Sequence, residues 1–330
     1  MRPLLTAEIP PELGGERFDR ALAELFPEYS RSRLAAWIRA GRARLEGETA
    51  RPAARVLGGE RVELEPEAEP DRRVLPEPIP IELLHQDPDL IVLCKPAGLT
   101  VHPGAGQPAG TLQNALLHHD PGLARLPRAG IVHRLDKDTS GLLAVARSLE
   151  AHAALTRALA ERRLLREYLA LVQGVPVAGG TIAAPIGRHP RDRLRMAVVE
   201  GGRPAVSHFR VLERFAAHAL LAVRLETGRT HQIRVHLAHA GYPLVGDPLY
   251  GGRPRLPRGC DADLAAALGG FARQALHAAR LELEHPRSGE RLRFEAPPPA
   301  DLAALLARLR AHAAGEGAVR AAGAARNREG

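Results

Sequence analysis

Apolar positions along the chain recur at two spacings, and the changes between them divide it into regions. From Asp19 a helical spacing sets Leu22, Leu25 and Phe26 on one face. Ser30 or Ser32 caps a second predicted helix through Leu34, Trp37 and Ile38, and Gly41 ends it. Short strands around 44–45 and 61–64 follow, with Gly58-Gly59 as the turn, which predicts a compact module over residues 13–65. Residues 66–80 are acidic and proline-rich and read as a linker. Residues 81–310 form the main domain. Its predicted elements are buried strands at 90–94 and 142–146, an amphipathic helix at 149–163, and a strand at 169–172 entered through Arg166-Glu167-Tyr168. Two alternating antiparallel strands follow at 206–212 and 220–225. Residues 311–330 are rich in Ala, Gly and Arg without apolar periodicity, which predicts a disordered basic tail. There is no internal repeat.

Composition narrows the class. A chain of 330 residues that is 45% hydrophobic can bury a sizeable core and carry one small extra module. No apolar run approaches the roughly 20 residues that span a bilayer, and the first residues lack the apolar core of a signal peptide. Cys94 and Cys260 are too few for a disulfide framework, and a cytoplasmic address is expected. The net charge of +8 favours a polyanionic partner. Nearly all of that positive charge is arginine. The two lysines, Lys95 and Lys137, stand where a compact ammonium serves better than a planar guanidinium. Arg31, Arg33, Arg39, Arg42 and Arg44 crowd the second helix of the small module without matching acids nearby. That pattern points to nucleic acid more than to a plain solvated helix face.

Two segments carry polar groups too densely for packing alone: residues 132–141, Val-His-Arg-Leu-Asp-Lys-Asp-Thr-Ser-Gly, and residues 227–237, Thr-Gly-Arg-Thr-His-Gln-Ile-Arg-Val-His-Leu. In the second, Thr230 is placed to cap a helix carrying Arg234. A hydrogen-bonded turn around Asp136 and Asp138 is the competing reading of the first. His231, His236 and His239 lie close together, but no Cys or carboxylate stands at ligand spacing and HExxH is absent, so no metal is expected. Residues 101–106 are glycine-rich without the GK[ST] ending of a phosphate-binding loop. Ser140 is not in a GxSxG elbow.

The segment His133-Arg134-Leu135-Asp136-Lys137-Asp138-Thr139-Ser140-Gly141-Leu142 resembles the signature of the RluA family of pseudouridine synthases. Residues 227–236 resemble the third motif of that family. Lys95-Pro96-Ala97-Gly98-Leu99 with Val101-His102-Pro103-Gly104 resembles its first, and Arg166-Glu167-Tyr168 falls at its active-site tyrosine. Gly246-Asp247-Pro248-Leu249-Tyr250 and Ala275-Leu276-His277 extend the likeness, which runs from about residue 13 to 310. Residues 17–64 resemble an S4 RNA-binding domain. There Leu45-Glu46-Gly47 departs from the Val-Asn-Gly usual in the family's first hairpin, putting a carboxylate where an amide is expected.

The resemblance implies an α+β catalytic domain on a mainly antiparallel, mixed sheet, with an N-terminal S4 module flexibly tethered to it. It implies conversion of uridines to pseudouridine in 23S rRNA, in the helix 69 stem-loop, by a base-flipping enzyme that works without a cofactor. The alternatives are a sister type acting on other 23S rRNA uridines and a non-catalytic rRNA-binding assembly factor. Asp136 would be the nucleophile, attacking sugar or base or opening a glycal route. Arg234 would pair with Asp136, Tyr168 would lie against the uracil, and Arg134 would fill the gap left by the flipped nucleotide. Arg31, Arg33, Arg39, Arg42 and Arg229 complete the expected RNA contacts, with Lys95 and Lys137 expected to touch phosphate or to brace the site. The partner is free 23S rRNA or a large-subunit precursor, met by a monomer.

Overall fold

The computed structural model describes residues 4–66, 74–104, 106–192 and 194–326, with side chains through residue 315 in the last helix. The chain divides into two compact units, residues 1–73 and 74–330.

In the N-terminal unit the elements run β1 (Leu5–Glu8), α1 (Phe18–Leu25), α2 (Arg31–Arg39), β2 (Ala43–Leu45), β3 (Glu48–Thr49) and β4 (Arg61–Leu64). The strands form an antiparallel sheet in the order β1-β4-β2-β3. Ser30 caps α2 by accepting from the Arg33 N–H, as its position suggests. Phe18, Leu22, Leu34, Trp37 and Ile38 pack with Val62 and Leu64 to form the core. The tight turn of the first hairpin is Glu46-Gly47, both at positive φ (51° and 77°), rather than Gly58-Gly59. A two-residue turn of this hand favours Asn then Gly, which explains why Glu46 stands out. The Glu46 carboxylate accepts the Arg61 N–H of the neighbouring strand.

The second unit continues with β5 (Glu82–Gln86), β6 (Leu90–Lys95), α3 (Leu112–His119), β7 (Ser140–Ala146), α4 (Leu149–Ala160) and β8 (Leu165–Gln173). Then come β9 (Gly180–Ala183), β10 (Ile186–Arg188), β11 (Met196–Val198), β12 (Val206–Arg214), β13 (His218–Leu225) and α5 (Gln232–His239). The unit ends with α6 (Ala262–Gly270), β14 (Leu276–Glu284), β15 (Arg291–Glu295) and α7 (Ala300–Arg326). Nine strands make one mixed sheet, ordered β5-β6-β7-β14-β8-β13-β12-β9, with β15 paired to β14. Every pairing is antiparallel except β7 with β14. At that parallel seam a Cβ on Gly141 would come within 2.3 Å of the Ala278 carbonyl oxygen, so glycine is what lets the two backbones close.

Both faces of the sheet are covered, and strand alternation assigns the residues. Ile91, Leu93, Leu143, Val145, Leu221 and Val223 meet Leu112 and Leu116 of α3 and Ile233 and Leu237 of α5 on one face. On the other, Leu90, Val92, Leu142 and Ala144 pack on α4, while Leu171 and Leu220 pack on α6 and α7.

Three sequence expectations change. Arg166, Glu167 and Tyr168 lie inside β8 rather than before it. Residues 67–73 of the expected linker lie outside the described residues, and its second half is fastened to the catalytic unit. The Asn114 side chain donates to the Leu75 carbonyl (2.8 Å), and the Glu77 carboxylate accepts the Gly110 N–H (3.0 Å). Finally, the expected disordered tail is helical as far as Arg326. Leu302, Leu305, Leu306 and Leu309 seat α7 on the core, and the alanine-rich sequence beyond continues it without an apolar stripe, because alanine is the best helix former. Residues 327–330 lie outside the described part. No helix among the described residues is long and apolar enough to cross a membrane.

Candidate active site

The cleft lies over β8, the end of β13 and Leu276 of β14, between the loops leading into β7 and α5, and it has a volume of about 870 Å³. It brings together the two polar segments singled out in the sequence, nearly a hundred residues apart. Asp136 sits in the turn before β7, where the Thr139 N–H donates to its carbonyl (3.1 Å). The Lys95 ammonium braces that turn from beneath, donating to the carbonyls of Lys137 (2.9 Å), Pro96 (2.7 Å) and Leu99 (2.8 Å). Gln274 donates to the Thr139 hydroxyl (3.0 Å) from the segment leading into β14.

Arg234 reaches Asp136 from the first turn of α5. Its Nη1 donates to Asp136 Oδ2 at 3.1 Å, and its Nε and Nη2 grip the two oxygens of Asp247 at 2.7 and 2.9 Å. Asp247 is itself fixed by the N–H groups of Leu249 (2.9 Å) and Tyr250 (3.0 Å). The Arg234 guanidinium lies 5.1 Å from the centre of the Tyr250 ring. Burial works against the Arg234 charge, but Asp247 and then Asp136 outweigh it and hold the guanidinium firmly protonated. His231, in a left-handed conformation (φ 57°), takes the position just before α5, so Thr230 is not the cap. Instead Gln232 folds back to accept the Arg229 N–H (2.9 Å) and the Thr227 hydroxyl (2.8 Å).

Tyr168 projects from β8 into the same cleft and is nearly inaccessible. Burial pushes its phenol upward and the charge of Asp136 adds to this, with Arg166 partly offsetting both, so the hydroxyl keeps its proton at neutral pH. Arg134 is exposed at the cleft wall, and Arg229 lines it with its Nε donating to the Pro204 carbonyl (3.1 Å). Arg128, Arg162 and Arg166 line it too, which gives the cleft a basic surface.

The residues expected to contact RNA are placed differently. Lys95 is completely buried with its ammonium enclosed by three carbonyls, so it braces the site and cannot touch RNA. A planar guanidinium does not fill such a cage, which accounts for lysine there. Lys137 is exposed but does not line the cleft. In the N-terminal unit, Arg31 pairs with buried Asp19 (3.0 Å) and Arg42 lies 3.7 Å from Glu65, so acids do match part of the arginine cluster. Arg33 lies over the Trp37 ring (5.6 Å) and Arg39 is exposed. Ser140 bonds to His277 Nδ1 (2.9 Å), yet both are buried away from the cleft and act structurally. His236 is spent on Ser207 and the Ala184 carbonyl. The role of Asp247 was missed from sequence, although its segment Gly246-Asp247-Pro248-Leu249-Tyr250 is part of the family likeness.

A family model described as RNA pseudouridylate synthase matches residues 89–239, the stretch that builds this cleft. The chain is 57% identical over 307 residues to ribosomal large subunit pseudouridine synthase D of Xanthomonas campestris pv. campestris, covering 93% of each chain. This chain belongs to the RluA family of pseudouridine synthases. The pseudouridine synthase D proteins of Pseudomonas aeruginosa and Escherichia coli K12 are 55% and 50% identical to it, over 92% and 94% of this chain and 95% of each of theirs. Among solved structures, human RNA pseudouridylate synthase domain containing 4 superposes with a TM-score of 0.54 at 27% identity, covering 69% of this chain and 93% of that one. As a pseudouridine synthase the protein is an isomerase, and the cleft holding Asp136, Tyr168 and Arg234 is its candidate active site.

Proposed function

We propose that this synthase isomerises specific uridines of large-subunit (23S) rRNA in the helix 69 stem-loop, with Asp136 as the catalytic carboxylate. The observation that carries this reading is the clamp of Arg234 on Asp136 and Asp247 at the floor of a basic cleft. The whole-length likeness to ribosomal large subunit pseudouridine synthase D proteins supports large-subunit rRNA as the substrate class.

The reaction breaks the bond from ribose C1′ to uracil N1, turns the detached base, and joins C1′ to C5, with the C5 proton removed and one returned to N1. Asp136 supplies the carboxylate that starts this exchange. Arg234 holds it in place through a charge-assisted hydrogen bond, so the carboxylate is oriented before substrate arrives. Tyr168 offers a flat apolar wall for the base and a protonated hydroxyl at its edge. Arg134 at the cleft wall fills the stack when the uridine leaves it, a step that costs a few kcal/mol and least in a loop. The N-terminal unit acts as an S4-type module that grips rRNA through exposed arginines of α2 and its exit, and the enzyme works as a monomer in the cytoplasm.

Carbodiimide mapping of pseudouridine in large-subunit rRNA from a deletion strain tests this reading. Stops in the helix 69 loop restored by the wild-type chain support it. Stops restored elsewhere would reassign the substrate to other 23S rRNA uridines, and no restoration would favour a non-catalytic binding factor.

A further inference from the structure

Arg166 stands two residues ahead of Tyr168 on β8, so the two side chains leave the strand on the same face, toward the cleft. Arg166 is only 8% exposed, its Nε has no hydrogen-bond partner, and no described carboxylate lies within ion-pairing distance of it. The acids that line the cleft are already committed. Asp136 is held by Arg234, and Glu226 by Arg162 and His208. A second unmet donor lies nearby. His133 Nε2 accepts the Ala144 N–H (3.0 Å), which leaves the ring hydrogen on Nδ1, and that atom is buried without a partner. Burial, then the charge of Arg166, hold His133 down to about 3, so its ring is neutral. Across the cleft a Cβ on Gly228 would come within 3.0 Å of Arg166 Nη1, and glycine there keeps the guanidinium approachable.

A buried cation without a counter-charge is costly unless a ligand completes it. We infer that Arg166 binds a backbone phosphate flanking the target uridine, with the His133 Nδ1–H as a supporting donor. A neutral uracil carbonyl would satisfy a hydrogen bond but not the charge; a phosphodiester satisfies both, and a guanidinium grips it with two parallel bonds. The spacing agrees. Two residues along a strand are about 6.6 Å apart, a distance of the order that separates a base from its own phosphate across the ribose. Arg166 is thus a positioning and binding residue, setting the ribose over Asp136 while Tyr168 faces the base. This rests on the reading that the cleft receives a flipped uridine of a stem-loop.

The test uses the full chain and a helix 69 hairpin RNA, unmodified or carrying one neutral methylphosphonate at each phosphate flanking the target uridine in turn. Single-turnover conversion, RNA affinity against salt and thermal melting are read for wild type, Arg166→Gln and Arg166→Lys. The inference expects Arg166→Gln to lower conversion efficiency at least tenfold and to reduce the salt slope by close to one released counterion. One methylphosphonate position should weaken wild type by a similar factor and leave Arg166→Gln unchanged. Arg166→Lys should retain sensitivity to that position, which keeps the test open if Arg166→Gln fails to fold. Losses from mutation and methylphosphonate that multiply independently, or an unchanged salt slope, would overturn the inference and leave a uracil carbonyl or a purely structural role. Failure of the wild-type chain to convert the unmodified hairpin would overturn the rRNA reading and this inference with it.

Discussion

Arg234 touches Asp136 with one nitrogen, at 3.1 Å, while its other two donors are locked onto Asp247, which is fully buried. The stronger grip is therefore on the carboxylate that does not line the cleft. Asp247 fixes the guanidinium, and the guanidinium presents its remaining edge to the carboxylate that lines the cleft.

Asp247→Asn should accordingly impair catalysis from outside the cleft. Loosening Arg234 should lower kcat at least tenfold with little change in KM, because no substrate-facing group is removed. Leaving the buried guanidinium short of one charge should also cost about 3–5 kcal/mol of stability. Denaturant unfolding and single-turnover kinetics check both. A normal kcat in a destabilised protein would mean that Asp247 serves folding only.

The lysine beneath the signature loop leads to a different expectation. Lys95→Met would leave the Pro96 and Leu99 carbonyls without this donor and the Lys137 carbonyl with the Gly98 N–H alone, at about 1–3 kcal/mol for each group left unmet before relaxation. A clear drop in melting temperature is expected, with no change in the salt dependence of RNA binding, since Lys95 is sealed from solvent. A salt slope reduced by about one charge would restore Lys95 to the RNA contacts.

These two residues mark how far the sequence could be read. The signature loop, the α5 segment and Tyr168 were visible because chemistry-bearing side chains sit close together in local text. So were β6 and β7, whose apolar runs match their burial, whereas β13 is buried almost throughout rather than alternating and in β12 only Ser207 is buried. Contacts made across long separations were not visible. The likeness around Asp247 does not reveal its burial against Arg234, and nothing local decides whether Lys95 is caged by carbonyls or touches phosphate. Asp19 likewise cancels part of the arginine cluster from twelve residues away. The helical tail shows the converse limit: its alanines favour a helix by propensity, whereas the periodicity that usually reveals one is missing.

Buried histidines set the response to acid. Burial holds His133 down to about 3 and His218 to about 4, and it lowers His236 and His277 as well. Between these folded values and about 6.5 the unfolded chain binds protons that the folded chain does not, so stability falls as pH falls through that window. Each group contributes at most about 1.4 kcal/mol per pH unit. Unfolding midpoints at pH 7, 6 and 5 should decline, and His218→Gln should flatten the decline. A midpoint that rises toward pH 5 would show that these rings are charged in the folded protein.

The most direct test of the account is Asp136→Asn in single-turnover conversion of the helix 69 hairpin. Arg234 retains its grip on Asp247 in this variant, and Asp136 is partly exposed, so the fold should survive with a melting temperature within a few degrees of wild type. RNA binding should persist while pseudouridine formation disappears. Conversion at close to the wild-type rate by a folded, RNA-binding Asp136→Asn protein would contradict the assignment of Asp136 as the catalytic carboxylate.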